Sequence, residues 1–347
     1  MQRLLSRTLK LTTWLGLVLA FASSTALAQY TSYTETNLVS NLSGKAKHTD
    51  PLLVNGWGLA YSPGNPFWVS DEGTGWSTLY DGMGNPQSLQ VVIPSANGTS
   101  AGTPTGMVYN ASQQFPVQGW ASVFIFATLD GTISGWSPIS NPTQAIIAVN
   151  NSSSNASYTG LAITSKASGN YIFAADINNN KVDIYDGNFN FVSSFTDTAL
   201  PAGYAPFGIQ DINGQVYVTF APTSGAAGGV VDIYTESGTF VKHLIHGSPL
   251  NQPWGVALAP SNFGPLSNTL LVSNNINNKG TINGFNATTG KFVGTVKNSA
   301  GKPIYIDQLW GIEFGGGSPA NGNTNQLFFT AGPNNNVNGL FGVISPQ

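Results

Sequence analysis

The chain has 347 residues and no cysteine, so neither disulfides nor thiolate metal sites are available to it. Charged residues make up only 8%, with 12 Lys+Arg against 15 Asp+Glu and a formal net charge of −3. Beyond residue 28 every basic residue is Lys, which removes the Arg fork that reads phosphate and argues against nucleic acid as a partner.

Residues 1–28 read as a cleaved export signal. Arg3, Arg7 and Lys10 give a positive start, Leu11 to Phe21 an apolar run, and Ala26-Leu27-Ala28 a small-residue cleavage site before Gln29. A secreted or periplasmic protein is expected, with no membrane span in the mature chain, since no later apolar stretch approaches spanning length. A polar lead-in follows, and Thr36 to Leu42 alternates as one strand with no partner nearby.

From Trp57 onward a short phrase recurs: an aromatic or small residue, Gly, then an alternating apolar run. Its glycines are Gly58, Gly106, Gly160, Gly208, Gly255 and Gly311, at intervals of 48, 54, 48, 47 and 56 residues. Six copies at this period suit the four-stranded blades of a propeller.

Blade one is predicted at 57–61, 66–70, 77–80 and 88–93, and blade two at 105–109, 122–128, 131–136 and 145–149. Blade three follows at 160–164, 171–175, 181–185 and 189–195. Blade four is at 207–211, 215–220, 229–234 and 240–245, and blade five at 254–259, 269–273, 280–285 and 292–296. Blade six has only 310–314, 326–330 and 339–344, so it lacks its outermost strand. The lead-in strand near Leu38 is expected to fill that edge and close the ring, removing an open edge. The reading is a single all-β six-bladed β-propeller over 29–347, with very little helix.

Several stretches resemble a family of secreted bacterial six-bladed propellers, NHL-like and often associated with PEP-CTERM sorting tails. They are Asn55-Gly56-Trp57-Gly58-Leu59-Ala60, Pro66-Phe67-Trp68-Val69-Ser70-Asp71, 124–136, 200–210 and Phe329-Thr330-Ala331-Gly332-Pro333. The resemblance covers nearly all of the mature chain, and it implies a fold but no activity. The chain departs from that family in lacking the sorting tail and in its Asn-rich hairpin tips.

Catalytic constellations are scarce, and no catalytic set is assigned. There is no G-x-S-x-G elbow, and the histidines are His48, His243 and His246. His243 and His246 are three apart in an extended run, which places them on opposite faces. Asp176 to Asn180 resembles the start of a calcium loop, but Lys181 and Gly187 stand where Gly and Glu are needed, so the run reads as a hairpin tip with left-handed Asn.

Propeller geometry suggests a different metal site. The loops before each first strand and between second and third strands share one face, which gathers Asp71, Glu72, Asp130, Asp176, Asn274 and Asn275 at the channel mouth. Oxygen donors of this kind suit Ca²⁺, and related six-bladed lactone hydrolases use such an arrangement. The competing reading makes them hairpin caps, since turns favour Asp and Asn.

Trp57, Trp254 and Trp310 recur at equivalent repeat positions and read as packing between blades. Trp76, Trp120 and Trp136 fall off that register and are candidates for exposed ligand contacts. Two functions follow. One is a secreted, monomeric, non-enzymatic binding or scaffold propeller that presents a polar face to a glycan, a small molecule or an envelope protein. The other is a Ca²⁺-dependent hydrolase of the lactonase or esterase type.

Overall fold

The six repeat glycines set the architecture. In the computed structural model, which describes residues 30–166 and 169–347, each approaches the innermost strand of the following blade. A Cβ on Gly106 would stand 2.2 Å from Leu161 N, and one on Gly208 would stand 2.0 Å from Trp254 O. Gly311 returns in the same way to Trp57 O, at 2.6 Å, which joins blade six to blade one. A side chain at Gly58, Gly106, Gly208, Gly255 or Gly311 would force neighbouring blades apart, while one at Gly160 would be tight against blade four at 3.2 Å. The expected export signal at 1–28 lies outside the described residues.

The result is a ring of six blades, each an antiparallel sheet running from the axis outward. Blade one is Gly56–Tyr61, Phe67–Asp71, Trp76–Tyr80 and Val91–Val92, the last much shorter than its prediction. Blade two is Pro104–Tyr109, Phe124–Thr128, Thr132–Trp136 and Ile146–Asn150, with a small extra hairpin at Pro116–Val117 and Trp120–Ala121. Blade three runs Tyr158–Lys166, Gly169–Asp176, Lys181–Asp186 and Phe191–Phe195. Blade four is Tyr204–Ile212, Gln215–Pro222, Val230–Thr235 and Phe240–His246, and blade five is Pro253–Leu258, Thr269–Asn274, Ile282–Asn286 and Phe292–Thr295.

Blade six closes as expected. Leu309–Phe314, Leu327–Ala331 and Leu340–Pro346 are completed by Tyr33–Ser40, which pairs antiparallel with the last strand from Tyr33 opposite Pro346 to Ser40 opposite Leu340. The lead-in strand starts three residues earlier than its alternation predicts. His48–Thr49 then adds a short parallel edge against Val39 and Ser40. The helical content among the described residues is one 3₁₀ turn, Ser152–Ser154.

Burial follows the ring. Six hydrophobic clusters lie between neighbouring blades: Trp68 and Phe124 join blades one and two, Phe173 and Val218 join three and four, and Leu59 and Phe328 join one and six. Each fully buried side chain of this size contributes about 1.5–3 kcal/mol relative to exposure. A seventh cluster sits on the axis.

The fourth strand of blade four corrects the sequence reading of the two histidines. Val230 pairs with His246 while Asp232 pairs with His243, so a β-bulge takes up one extra residue between them. The extra residue reverses the alternation, and both imidazoles lie on one face with ring centroids 4.9 Å apart.

Candidate functional site

The axis has two different ends. At the starts of the innermost strands, Trp57, Phe207, Trp254 and Trp310 fill the channel, with Leu129 and Ile177 of two hairpin tips packed on them. Trp57 and Trp310 stack at 3.6 Å between centroids, and Trp254 meets both edge-on at 6.1 Å. Trp310 Nε1 donates to Asn55 Oδ1 at 2.9 Å, and Trp254 Nε1 donates to the Thr159 carbonyl at 3.0 Å, from blade five to blade three. The recurring tryptophans therefore pack as a plug on the axis, across blades.

The acids and amides expected at this mouth are engaged with backbone and side chains of their own and neighbouring loops. Glu72 Oε2 accepts from Asn55 Nδ2 at 2.6 Å, and Asp130 accepts from Ala96 N at 2.6 Å and from Thr128 Oγ1. Asp176 accepts from Ser157 N at 3.1 Å and from Asn179 Nδ2 at 2.7 Å, with Asn180 at the same tip at φ 50°. Asn274 Oδ1 accepts from Asn251 N, and Asn275 Nδ2 donates to Leu309 O.

Asp71 is fully buried near Thr78, Tyr80 and Asp50, and burial pushes its carboxyl well above the ordinary range. Tyr80 OH, which accepts from Thr78 Oγ1, donates to Asp50 Oδ2 at 3.0 Å. The carboxylates of Asp71, Glu72, Asp130 and Asp176 form no group of three within metal-ligating reach among the described residues.

Of the off-register tryptophans, Trp120 is exposed on the extra hairpin of blade two and Trp76 is half-buried. Trp136 is buried, which corrects its reading as an exposed contact. It packs on Trp68 at 4.7 Å and donates from Nε1 to Pro142 O.

The other end of the channel is open. The ends of the innermost strands line a cavity of about 340 Å³ with Tyr61, Tyr109, Ile163, Gln210, Asp211 and Glu313. A narrow space of about 30 Å³, lined by Gly58, Gly106, Gly255 and Gly311 and also by Gln210 and Glu313, connects it toward the plug. Desolvation in the channel pushes Glu313 up to about 7, although its side chain is only half-buried, because the surrounding strands leave little room for solvating water. Tyr61 is pushed up to about 12 by burial and then by the nearby Glu313 charge. Asp211 raises Tyr217 in the same manner, after burial.

The sequence carries a signal for Glu313 in the repeat itself, away from the loop acids. Two residues after each repeat glycine stand Ala60, Val108, Ala162, Gln210, Ala257 and Glu313. A Gln and a Glu at an otherwise small or apolar inner position mark the polar side of the channel.

With plug and cavity defined, the class is a six-bladed β-propeller with one sealed and one open channel end. The chain belongs to the family of protein R648 of Acanthamoeba polyphaga mimivirus, being 31% identical to it over 328 residues, which cover 88% of this chain and 78% of R648. Protein R640 of the same virus is 32% identical over 293 residues, and the match spans about half of its length. Both relatives carry the description uncharacterized, and both are viral, where the sequence resemblance had pointed to bacterial proteins. No family model matches the chain.

Among solved structures, a gluconolactonase from Xanthomonas campestris superposes with a TM-score of 0.55 at 13% identity, covering 85% of this chain and 87% of its own. A streptogramin B lyase superposes with a TM-score of 0.53 at 11% identity, covering 91% and 97%. At these identities the likeness shows the fold alone.

Proposed function

We propose that the protein is an exported, monomeric, non-enzymatic binding propeller that takes a small hydroxyl-rich ligand, such as one sugar unit of a glycan, in the open channel end. The observation that carries this reading is the cavity of about 340 Å³ lined by two tyrosines, an amide and two carboxyl groups. Its volume falls at the small end of ligand pockets, which run from about 300 to 1,000 Å³. Tyr61 and Tyr109 supply apolar ring faces, and Gln210, Asp211 and Glu313 supply donors and acceptors for hydroxyls. Export rests on the signal pattern at 1–28.

A glycan array probed in parallel with wild type, Tyr61→Ala and Glu313→Gln tests the reading. Ligands bound by wild type are expected to be lost by at least tenfold in both variants. Binding that survives in both, or no bound glycan at all, overturns it.

One observation favours a second reading, a hydrolase of the lactonase type. A carboxyl pushed to about 7 is matched to general acid or base work near neutral pH, and Asp211 lines the same cavity. Hydrolysis of a sugar lactone by wild type but not by Glu313→Gln, with a pH profile governed by a group near 7, would place this reading first.

A further inference from the structure

The bulge in blade four assembles a group of side chains outside the channel. Asp232, on the third strand, and His243 and His246, on the fourth, each offer one ligand atom, and these lie within 4.8 Å of one another. Asp232 Oδ1 is 2.9 Å from His243 Nδ1. Asp197, just beyond the outer strand of blade three, places Oδ2 3.3 Å from the same Nδ1. His246 is exposed and Asp232 is fully buried.

A second observation points to a missing ligand. Asp232 Oδ2 is buried with no donor, as are Asp197 Oδ2 and the hydroxyl of Tyr234, two residues further along the Asp232 strand, and the two carboxyls approach each other closely enough to need a proton or a cation between them. A buried oxygen left in this state costs about 1–3 kcal/mol, or more when charged. The imidazole pairs with only one of the two carboxylate oxygens.

We propose that Asp232, His243 and His246, with Asp197 beside them, form a binding site for a divalent transition ion of the Zn²⁺ type. Two imidazoles and a carboxylate are its usual partners, whereas Ca²⁺ takes oxygen donors. A tetrahedral centre with bonds of about 2.1 Å holds its ligands roughly 3.4 Å apart. Binding would exchange the 2.9 Å contact between His243 and Asp232 for two metal bonds, opening it by about half an ångström, and would draw in His246, whose ligand atom lies within 4.8 Å of both. Three protein ligands leave a fourth position toward solvent. The site joins the outer edge of blade three, through Asp197, to the two outer strands of blade four.

Calorimetric titration of tag-free protein with Zn²⁺ tests the assignment, with Co²⁺ absorption as a second readout of nitrogen ligation. Binding of one ion per chain is expected, at least tenfold weaker in His246→Ala, unchanged in His48→Ala, and with no response to Ca²⁺. His246 is exposed, so its replacement leaves the fold intact even where His243→Ala does not. Absence of Zn²⁺ binding up to millimolar concentration, or His246→Ala binding as wild type does, overturns the proposal.

Discussion

Gly311 faces Trp57 across the seam where the ring closes, so near that a Cβ on the glycine would lie 2.6 Å from the tryptophan carbonyl oxygen. The same carbonyl accepts from Thr330 Oγ1, which in turn accepts from Gly311 N at 3.0 Å. Blade five repeats the arrangement: Ser273 Oγ accepts from Gly255 N at 2.7 Å and donates to Trp310 O at 2.6 Å. In blade four Thr219 accepts from Gly208 N at 2.8 Å and reaches Trp254 O at 3.4 Å. A hydroxyl on the second strand thus links its own glycine to the next blade.

The glycine contact gives the first prediction. Gly→Ala in an ordinary strand is stabilising if anything, but Gly208→Ala drives a Cβ into the Trp254 carbonyl at 2.0 Å. It is expected to cost about 3 kcal/mol or more, measured by urea unfolding. Gly294→Ala, which meets only the end of Leu266 at 3.3 Å, should change stability by less than about 1 kcal/mol.

Removing the bridging hydroxyl gives the second. Ser273→Ala leaves the buried Gly255 N and Trp310 O without that partner. A loss of about 1–3 kcal/mol is expected, and a neutral result would mean that the bridge is incidental to blade packing.

The plug gives the third. Trp310→Phe keeps an aromatic ring against Trp57 but leaves Asn55 Oδ1 without its donor, a loss of about 1–2 kcal/mol. Trp310→Ala also removes the stack and opens the axis, for about 3–5 kcal/mol. Equal effects from the two would show that the hydrogen bond, rather than packing, holds the plug.

The fourth concerns pH. The ordinary Glu value is 4.5, and the channel raises Glu313 to about 7, so the folded state holds that proton more tightly than the unfolded state. Its contribution to stability is fully present below about 4.5 and is lost as pH rises through about 7. Glu313→Gln should therefore unfold at a higher temperature than wild type at pH 8, with the difference vanishing near pH 4. A constant difference across that range would place Glu313 in ordinary solvent.

The ring was legible because the repeat glycines meet a close approach of the next blade, and that demand recurs once per blade from Gly58 to Gly311. The closing strand was legible from a missing partner at each end of the chain. The channel chemistry was harder to read, because turn acids such as Asp130 and Asp176 are plentiful for reasons of capping, while Glu313 sits inside an apolar run. The pairing of His243 with His246 was illegible, since nothing in Phe240-Val241-Lys242-His243-Leu244-Ile245-His246 announces the bulge that reverses its alternation.

The most direct test of the central claim, that the ligand enters opposite the tryptophan plug, is a crystal structure of the protein soaked with the sugar that binds best on the array. The account predicts density in the cavity between Tyr61, Tyr109, Gln210 and Glu313. Density at the mouth ringed by Glu72, Asp130 and Asp176, over Trp57 and Trp310, would contradict it.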